Sequence, residues 1–381
     1  MSHKLLFITE SLAGGGAEKV LSVILKNIDK SKFHITLCSI VNTGIYIDEL
    51  SGIVDYKFVV DDNSRQKNIF KRILNSIKYK LIYDILPVSW VYFLFIPKNN
   101  DTEVAFCEGF ATKLLSKSLN KKAKKIAWVH TDLVNNPWPV DIGVYRNSEE
   151  EYRAYNSYDR IVCVSETVKR TFCEKYGLAD KLSVIYNPVD KEEIIVKSKE
   201  TEISYPDNGF RIITVGRLVK QKGFDRMIRI IKRLKDNGFN ITLDILGDGP
   251  LRHQLTMLIN EYGLGSSVNI LGFHSNPYPI IACHDLFVCS SYAEGFSLVM
   301  AEAMILGLPV ISTYCAGPNE LLDDGKYGLL VENDDNALFS GIADVISHQE
   351  LLAELRMKAG KRSSFFNLSH TIKQIETMVL Q

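Results

Sequence analysis

No Cys-x-x-Cys pair occurs among the seven cysteines, which lie scattered at 38, 107, 163, 173, 283, 289 and 315. An odd, dispersed set argues against a disulfide framework or a zinc site and fits a reducing compartment. Net formal charge is also lacking, since 45 Lys and Arg balance 45 Asp and Glu. A nucleic-acid partner drawn by global charge is therefore not expected. No clean apolar run is long enough to cross about 30 Å of hydrocarbon. The nearest candidate, LIYDILPVSWVYFLFIP at 81–97, is broken by Asp84, Pro87 and Ser89. The N-terminal stretch MSHKLLFITESLAGGGAE lacks a signal-peptide layout and runs from an apolar strand into a glycine turn. Short internal repeats and low-complexity tracts are absent. These absences leave a globular, cytoplasmic protein as the expectation.

With 381 residues, 46% apolar and 24% charged, the chain suits two domains of ordinary size. Strand patterns recur at KLLFITE, HITLCSI, TEVAFCEG, KKIAWVHTD, DRIVCVSE and KLSVIYNPVD, most with helical periodicity between them. After the polar stretch DKEEIIVKSKETEISYPDNG (190–209) the alternation restarts with FRIITVGRL, ITLDILGDGP, VNILGFH, DLFVCSS and LPVISTY. Alternating β and α elements predict two open parallel sheets covered by helices on both faces. The expected organisation is an α/β domain over 1–190, a linker over 191–209, a second α/β domain over 210–365 and a C-terminal helix over 366–381. Ligands in such sheets bind beyond the carboxyl ends of the strands.

Two segments after those strand ends carry chemistry. EGFSLVMAE (294–302) places Glu294 in a loop, Gly295 beside it, Ser297 at a helix start and Glu302 inside that helix. The first amides of a helix have no internal partner and, with the dipole, form an anion site. A carboxylate on either side would accept hydroxyl hydrogen bonds, which matches a sugar, a diphosphate and a ribose in line. The plainer reading makes Glu294 an electrostatic cap and Glu302 a solvated helix residue. GRLVKQKGFD (216–225) then puts Arg217 and Lys222 in one strand-to-helix loop, where a guanidinium fork and an ammonium suit a diphosphate.

Glu294-x7-Glu302, the Gly216-Arg217-Leu218…Lys222-Gly223 loop, Gly247-Asp248-Gly249-Pro250 and Asn187-Pro188-Val189-Asp190 occur together, with GGGAE (14–18) and WVHTD (128–132) in the first half. In these motifs the chain resembles the retaining glycosyltransferases of family 4, which have the GT-B fold of two Rossmann-like domains facing across a cleft. The resemblance implies that Arg217 and Lys222 bind the diphosphate of a nucleoside-diphosphate sugar, that Glu302 holds ribose hydroxyls and that Glu294 holds a hydroxyl of the transferred sugar. It implies contacts from the amides of Gly295, Phe296 and Ser297, an approach from Gly15 and Gly16, and a His130 that faces the reacting sugar. Retention is expected to proceed through an oxocarbenium-like transition state, with the acceptor attacking from the leaving group's own face. UDP is the nucleotide expected from family usage. GDGP (247–250) reads equally as a tight turn and as a contact to the nucleotide sugar.

No D-x-D pair occurs anywhere. The usual carboxylates for a metal-held diphosphate are thus missing, and no metal and no cofactor beyond the nucleotide-sugar substrate are expected. A local charge asymmetry concerns the acceptor. Residues 65–125 hold 13 Lys and Arg against 4 Asp and Glu. Ile69, Ile73, Ile77 and Leu81 recur every four residues among Lys71, Arg72, Lys78 and Lys80, followed by VSWVYFLFI and, later, KSLNKKAKK (117–125). Either this is a core helix with a solvated basic face, or residues 65–98 and 117–125 dock on an anionic membrane surface at the cytoplasmic face. The second reading makes a saccharide linked to polyprenyl diphosphate the expected acceptor, in surface-polysaccharide assembly. The rivals are a synthase with a soluble acceptor and an inactive scaffold of the same fold.

Overall fold

The structure is a computed structural model describing residues 2–63, 68–203 and 209–381. It divides into two compact units, Met1–Pro188 with Ser369–Gln381, and Val189–Leu368.

The first unit is built on seven strands: β1 (His3–Thr9), β2 (Phe33–Asn42), β3 (Asp55–Asp61), β4 (Thr102–Ala105), β5 (Lys124–Val129), β6 (Arg160–Cys163) and β7 (Leu182–Val184). Every pairing is parallel, in the order β3-β2-β1-β4-β5-β6-β7. Strand direction of travel across the sheet reverses between β1 and β4, the switch point where ligands of doubly wound sheets bind. Central strands such as Leu5–Thr9 and Ile126–Val129 are buried throughout, as parallel strands covered on both faces must be. Helix α1 (Gly16–Asn27) follows β1, and α2 (Ile69–Lys80) and α3 (Val88–Phe95) lie between β3 and β4, joined through a π-helical turn at Leu81–Ile85.

The second unit has β8 (Phe210–Val215), β9 (Ile241–Leu246), β10 (Val268–Gly272), β11 (Leu286–Cys289), β12 (Val310–Thr313) and β13 (Leu329–Val331), parallel in the order β10-β9-β8-β11-β12-β13. Its switch point lies between β8 and β11. Helices α4 (Lys191–Lys197), α5 (Phe224–Asp236) and α6 (Leu298–Ile305) belong to this unit, and α7 (Leu368–Leu380) closes the chain on the first. Helix α5 buries Phe224, Met227, Ile228, Ile231 and Leu234 on one face, the spacing of an amphipathic helix on a core. Each such side chain contributes roughly 1.5–3 kcal/mol of transfer free energy.

Two expectations need correction. The 191–209 linker begins as a helix instead: the Asp190 carboxylate accepts from Glu193 N–H (2.9 Å), Ile194 is buried, and α4 packs on α6. A capped first turn and one buried apolar contact outweigh the polar composition. The basic amphipathic helix starts at Ile69, after Asn68 accepts from Phe70 and Lys71 N–H (2.9 and 3.3 Å); residues 64–67 lie outside the described residues. Its core-facing reading does not hold, because α2 buries no residue. Ile69, Phe70, Ile73 and Ile77 are 52–79% exposed. Among the described residues no helix is long and apolar enough to cross a membrane.

Candidate active site

In the second unit the loops after β8 and β11, at the switch point, interlock. Ser290 Oγ donates to Lys222 O and Gly223 O (2.9 and 3.2 Å), Tyr292 N–H donates to Gln221 O (2.8 Å), and Gln221 Nε2 donates to Ala293 O (2.7 Å). Gly223, at φ +66°, turns the chain into α5, and a Cβ there would lie 2.3 Å from Ser290 O. The two loops can approach this closely only because residue 223 has no side chain.

That interlock brings together side chains 72 residues apart. Lys222 Nζ makes an ion pair with Glu294 Oε1, which also accepts from Ser291 Oγ (2.8 Å). Burial opposes the lysine's charge, but the Glu294 carboxylate outweighs it and holds Lys222 above the ordinary lysine value. Gly317 N–H donates to Glu294 O (2.9 Å), fixing the loop from the other side. The Arg217 guanidinium is exposed and has no hydrogen-bond or ion-pair partner among the described residues. Gly295 and Phe296 lead to α6, whose cap residue is Ser297; no side chain caps its first amides. Ser297 is 2% exposed and its Oγ has no hydrogen-bond partner. Glu302 is buried in the second turn, beside Tyr278, whose hydroxyl is held well above its usual pKa by burial and then by Glu302.

The reading of GDGP as a tight turn has a direct structural basis. A Cβ on Gly247 would lie 2.0 Å from Gly216 O, and Leu218 N–H donates to Asp248 O (2.9 Å). The motif thus braces the Arg217 loop. A second brace was not visible in sequence: the buried Arg226 donates to Asp335 (2.9 Å) and Asn333 (2.6 Å) and stacks 4.5 Å over Tyr292. Asn333 in turn donates to Tyr292 O (3.2 Å).

In the first unit Gly15, Gly16 and His130 lie at the carboxyl ends of β1 and β5. Gly15 is the cap residue of α1, and no side chain caps that helix either. His130 Nε2 lies 2.8 Å from Phe106 O. A carbonyl only accepts, so Nε2 carries the proton and Nδ1 keeps the lone pair. Burial lowers the ring's pKa to about 4, so the imidazole is neutral at physiological pH. Glu108, which sequence reasoning missed, orders this turn: its Oε1 accepts from His130 N–H (2.6 Å), Thr131 N–H (2.7 Å) and Thr131 Oγ1 (2.9 Å). Its signal was a carboxylate and a glycine directly after the β4 strand, the pattern seen at Glu294-Gly295. Tyr83, in the π-helical turn, donates to Glu10 just past β1, and burial raises the Glu10 pKa. Among the described residues no three His, Cys, Asp or Glu side chains converge as a metal site would require.

Residues 197–363 match the family of glycosyl transferases group 1, and residues 103–193 match glycosyltransferase family 4. The chain is a family 4-like glycosyltransferase of the GT-B fold. It is 36% identical over 189 residues to the N-acetylgalactosamine-N,N'-diacetylbacillosaminyl-diphospho-undecaprenol 4-alpha-N-acetylgalactosaminyltransferase of Campylobacter jejuni, a match spanning 49% of this chain and 50% of that enzyme. An uncharacterized glycosyltransferase of Methanocaldococcus jannaschii is 29% identical across 83% of this chain and 82% of its own length. In fold, the transferase resembles the Anabaena protein Alr3699/HepE solved in complex with UDP-glucose, with a TM-score of 0.75, 19% identity and 99% of each chain covered.

Proposed function

We propose that this glycosyltransferase moves a sugar, with retention of anomeric configuration, from a UDP-sugar to a saccharide carried on polyprenyl diphosphate. The observation that carries the reading is the start of α6: uncapped amides and a buried, unpartnered Ser297 Oγ beside the Lys222–Glu294 pair. A buried hydroxyl without a partner costs free energy that a ligand oxygen would recover. The helix start and two cations would take the diphosphate. Glu294 would take a sugar hydroxyl and Glu302 the ribose.

As the anomeric bond breaks, charge grows on the departing diphosphate, so Arg217, Lys222 and the helix amides act most strongly in the transition state. They supply the charge compensation that a divalent metal would otherwise give, and the activity is accordingly proposed to be metal-independent. Neutral His130, with Nδ1 as an acceptor, is suited to hold a hydroxyl of the reacting sugar but not to donate a proton as an acid. The amides at Gly15 and Gly16 are proposed to approach the same substrate.

The acceptor class rests on two supports. The Campylobacter relative is named for a diphospho-undecaprenol acceptor. The exposed face of α2 and α3, with Phe70, Leu74, Trp90, Phe93 and Leu94 at 52–79% exposure among Lys71, Arg72 and Lys98, fits an anionic membrane surface at the cytoplasmic face. Incubation with UDP-sugars, EDTA and a polyprenyl-diphosphate disaccharide, followed by proton NMR of the new linkage, tests the reading. An axial anomeric product formed in EDTA is expected. An equatorial product, or transfer only after metal is restored, would contradict the mechanism.

A further inference from the structure

The first unit holds a groove of about 470 Å³ among the amino ends of β5 and β6, the edge strand β7 and the helix α7. Helix α7 is anchored across this edge: Thr102 Oγ1 donates to Val379 O (2.9 Å) and Lys124 Nζ to Met378 O (2.6 Å). Lys124, Arg160, His370 and Lys373 all line the groove, and no acidic side chain does. The Arg160 and Lys373 side chains are exposed and have no hydrogen-bond or ion-pair partner among the described residues. Ser183 Oγ, also in the lining, is buried without a partner.

The cations disfavour one another. Burial lowers the Lys124 pKa and the neighbouring Arg160 charge lowers it further, with only Asp159 opposing. Asp159 is itself engaged, accepting from Lys125 N–H (2.7 Å). A phosphate anion seated here would turn that repulsion into attraction. A guanidinium, two ammonium groups and a serine hydroxyl form the donor set that phosphate oxygens take. The groove's volume falls in the range of small-ligand sites.

Its position indicates the source of the phosphate. Lys124 lies in the basic run 117–125, whose loop is tied by Asn120 Nδ2 to Asn100 O (2.9 Å). Asn100 follows Phe93, Leu94 and Lys98 by a few residues, and Lys124 N–H donates to the next carbonyl, Asp101 O (3.0 Å), so the chain runs from the exposed apolar and basic face to the strand edge that carries the groove. We propose that this groove is a phosphate-binding site that seats the headgroup of an anionic phospholipid on Arg160 and Lys373, with Lys124 and Ser183 behind them. The lipid source rests on the membrane docking proposed above; the phosphate site does not.

The test uses the full chain and the Arg160→Gln/Lys373→Gln double variant, with two probes. In calorimetric titrations with glycerol 3-phosphate, the double variant is expected to bind at least tenfold more weakly than the wild type, while UDP affinity stays the same. In flotation with phosphatidylcholine vesicles containing phosphatidylglycerol, it is expected to partition roughly thirtyfold less, as two interfacial cations would give. A Phe70→Ser/Phe93→Ser variant separates the two ideas, since it should lose vesicle binding and keep glycerol 3-phosphate. Equal glycerol 3-phosphate binding by wild type and double variant, or none by either, would overturn the site. Weakened glycerol 3-phosphate binding with unchanged flotation would overturn the lipid source and leave a site for a soluble phosphate ester.

Discussion

Both units use the same doubly wound plan, yet their strand ends handle charge in opposite ways. At the second unit's switch point, Lys222 and Glu294 are held close as an ion pair, and Arg217 stands exposed beside them. Past β5 of the first unit, the titratable groups are kept neutral or tied to backbone: His130 is uncharged, and Glu108 is spent on three hydrogen bonds. The difference fits the division of labour in the proposed reaction. Charge compensation of a leaving diphosphate needs fixed cations, whereas positioning hydroxyls needs acceptors that do not exchange protons with solvent. Fold alone does not decide which a sheet end provides; the loop residues do.

The largest effect should come from the charged side. Glu294→Gln keeps the shape and removes the charge, and turnover is expected to fall on the order of 10²–10³. Lys222→Met should lose as much turnover and also stability, because Glu294 is left buried without its cation, at a cost of about 3 kcal/mol. Adding Glu294→Gln to Lys222→Met should restore stability in urea titrations without restoring turnover. Recovery of both would mean that the pair is structural only.

Next in size is Arg226→Met. It removes the brace under Tyr292 and Asn333, and about 2 kcal/mol of stability is expected to go with it. UDP-sugar affinity should fall through the loosened 290–294 loop, while kcat at saturation falls less; an unchanged KM would separate Arg226 from the site.

On the neutral side, the effect is one of pH. The folded His130 value near 4 lies below the ordinary 6.5, so the unfolded chain binds the extra proton between these values. The ring's contribution is therefore complete above pH 6.5 and is lost as pH falls toward 4. A His130→Phe variant should flatten that part of the stability curve, measured by urea unfolding from pH 4 to 7.5. Glu10 gives the smallest and opposite signal: burial raises its pKa, so its carboxylate weakens the fold once pH rises through the folded value. Glu10→Gln should raise Tm by roughly a degree or two at pH 8 and not at pH 4.

What was legible in the sequence follows the same physics. Interior strands such as β1, β5, β8 and β11 stood out because burial on both faces makes them continuous apolar runs. Strands β3 and β13 were missed. Both are sheet edges, half exposed, and their residues mix polar and apolar without a clean run. The loops that carry Arg217, Lys222, Glu294 and Ser297 were legible because each connects a strand to the next helix. Their mutual geometry was not, since the Lys222–Glu294 pair and the Arg226–Asn333 brace join residues 72 and 107 apart. Helices α2 and α5 show the limit most clearly. Both are amphipathic by sequence, but α5 buries its apolar face and α2 buries nothing. Periodicity reveals a face and not what covers it.

The central claim is that the β8 and β11 loops of the second unit form the site for a nucleoside-diphosphate sugar. Calorimetric titration of the wild type and Glu294→Gln with UDP-sugars, in EDTA, tests it most directly. Metal-free binding of one UDP-sugar is expected, with UDP itself bound similarly by both proteins and the sugar's added affinity lost in Glu294→Gln. Binding of none of these ligands by the wild type, or identical titrations for the two proteins, would contradict it.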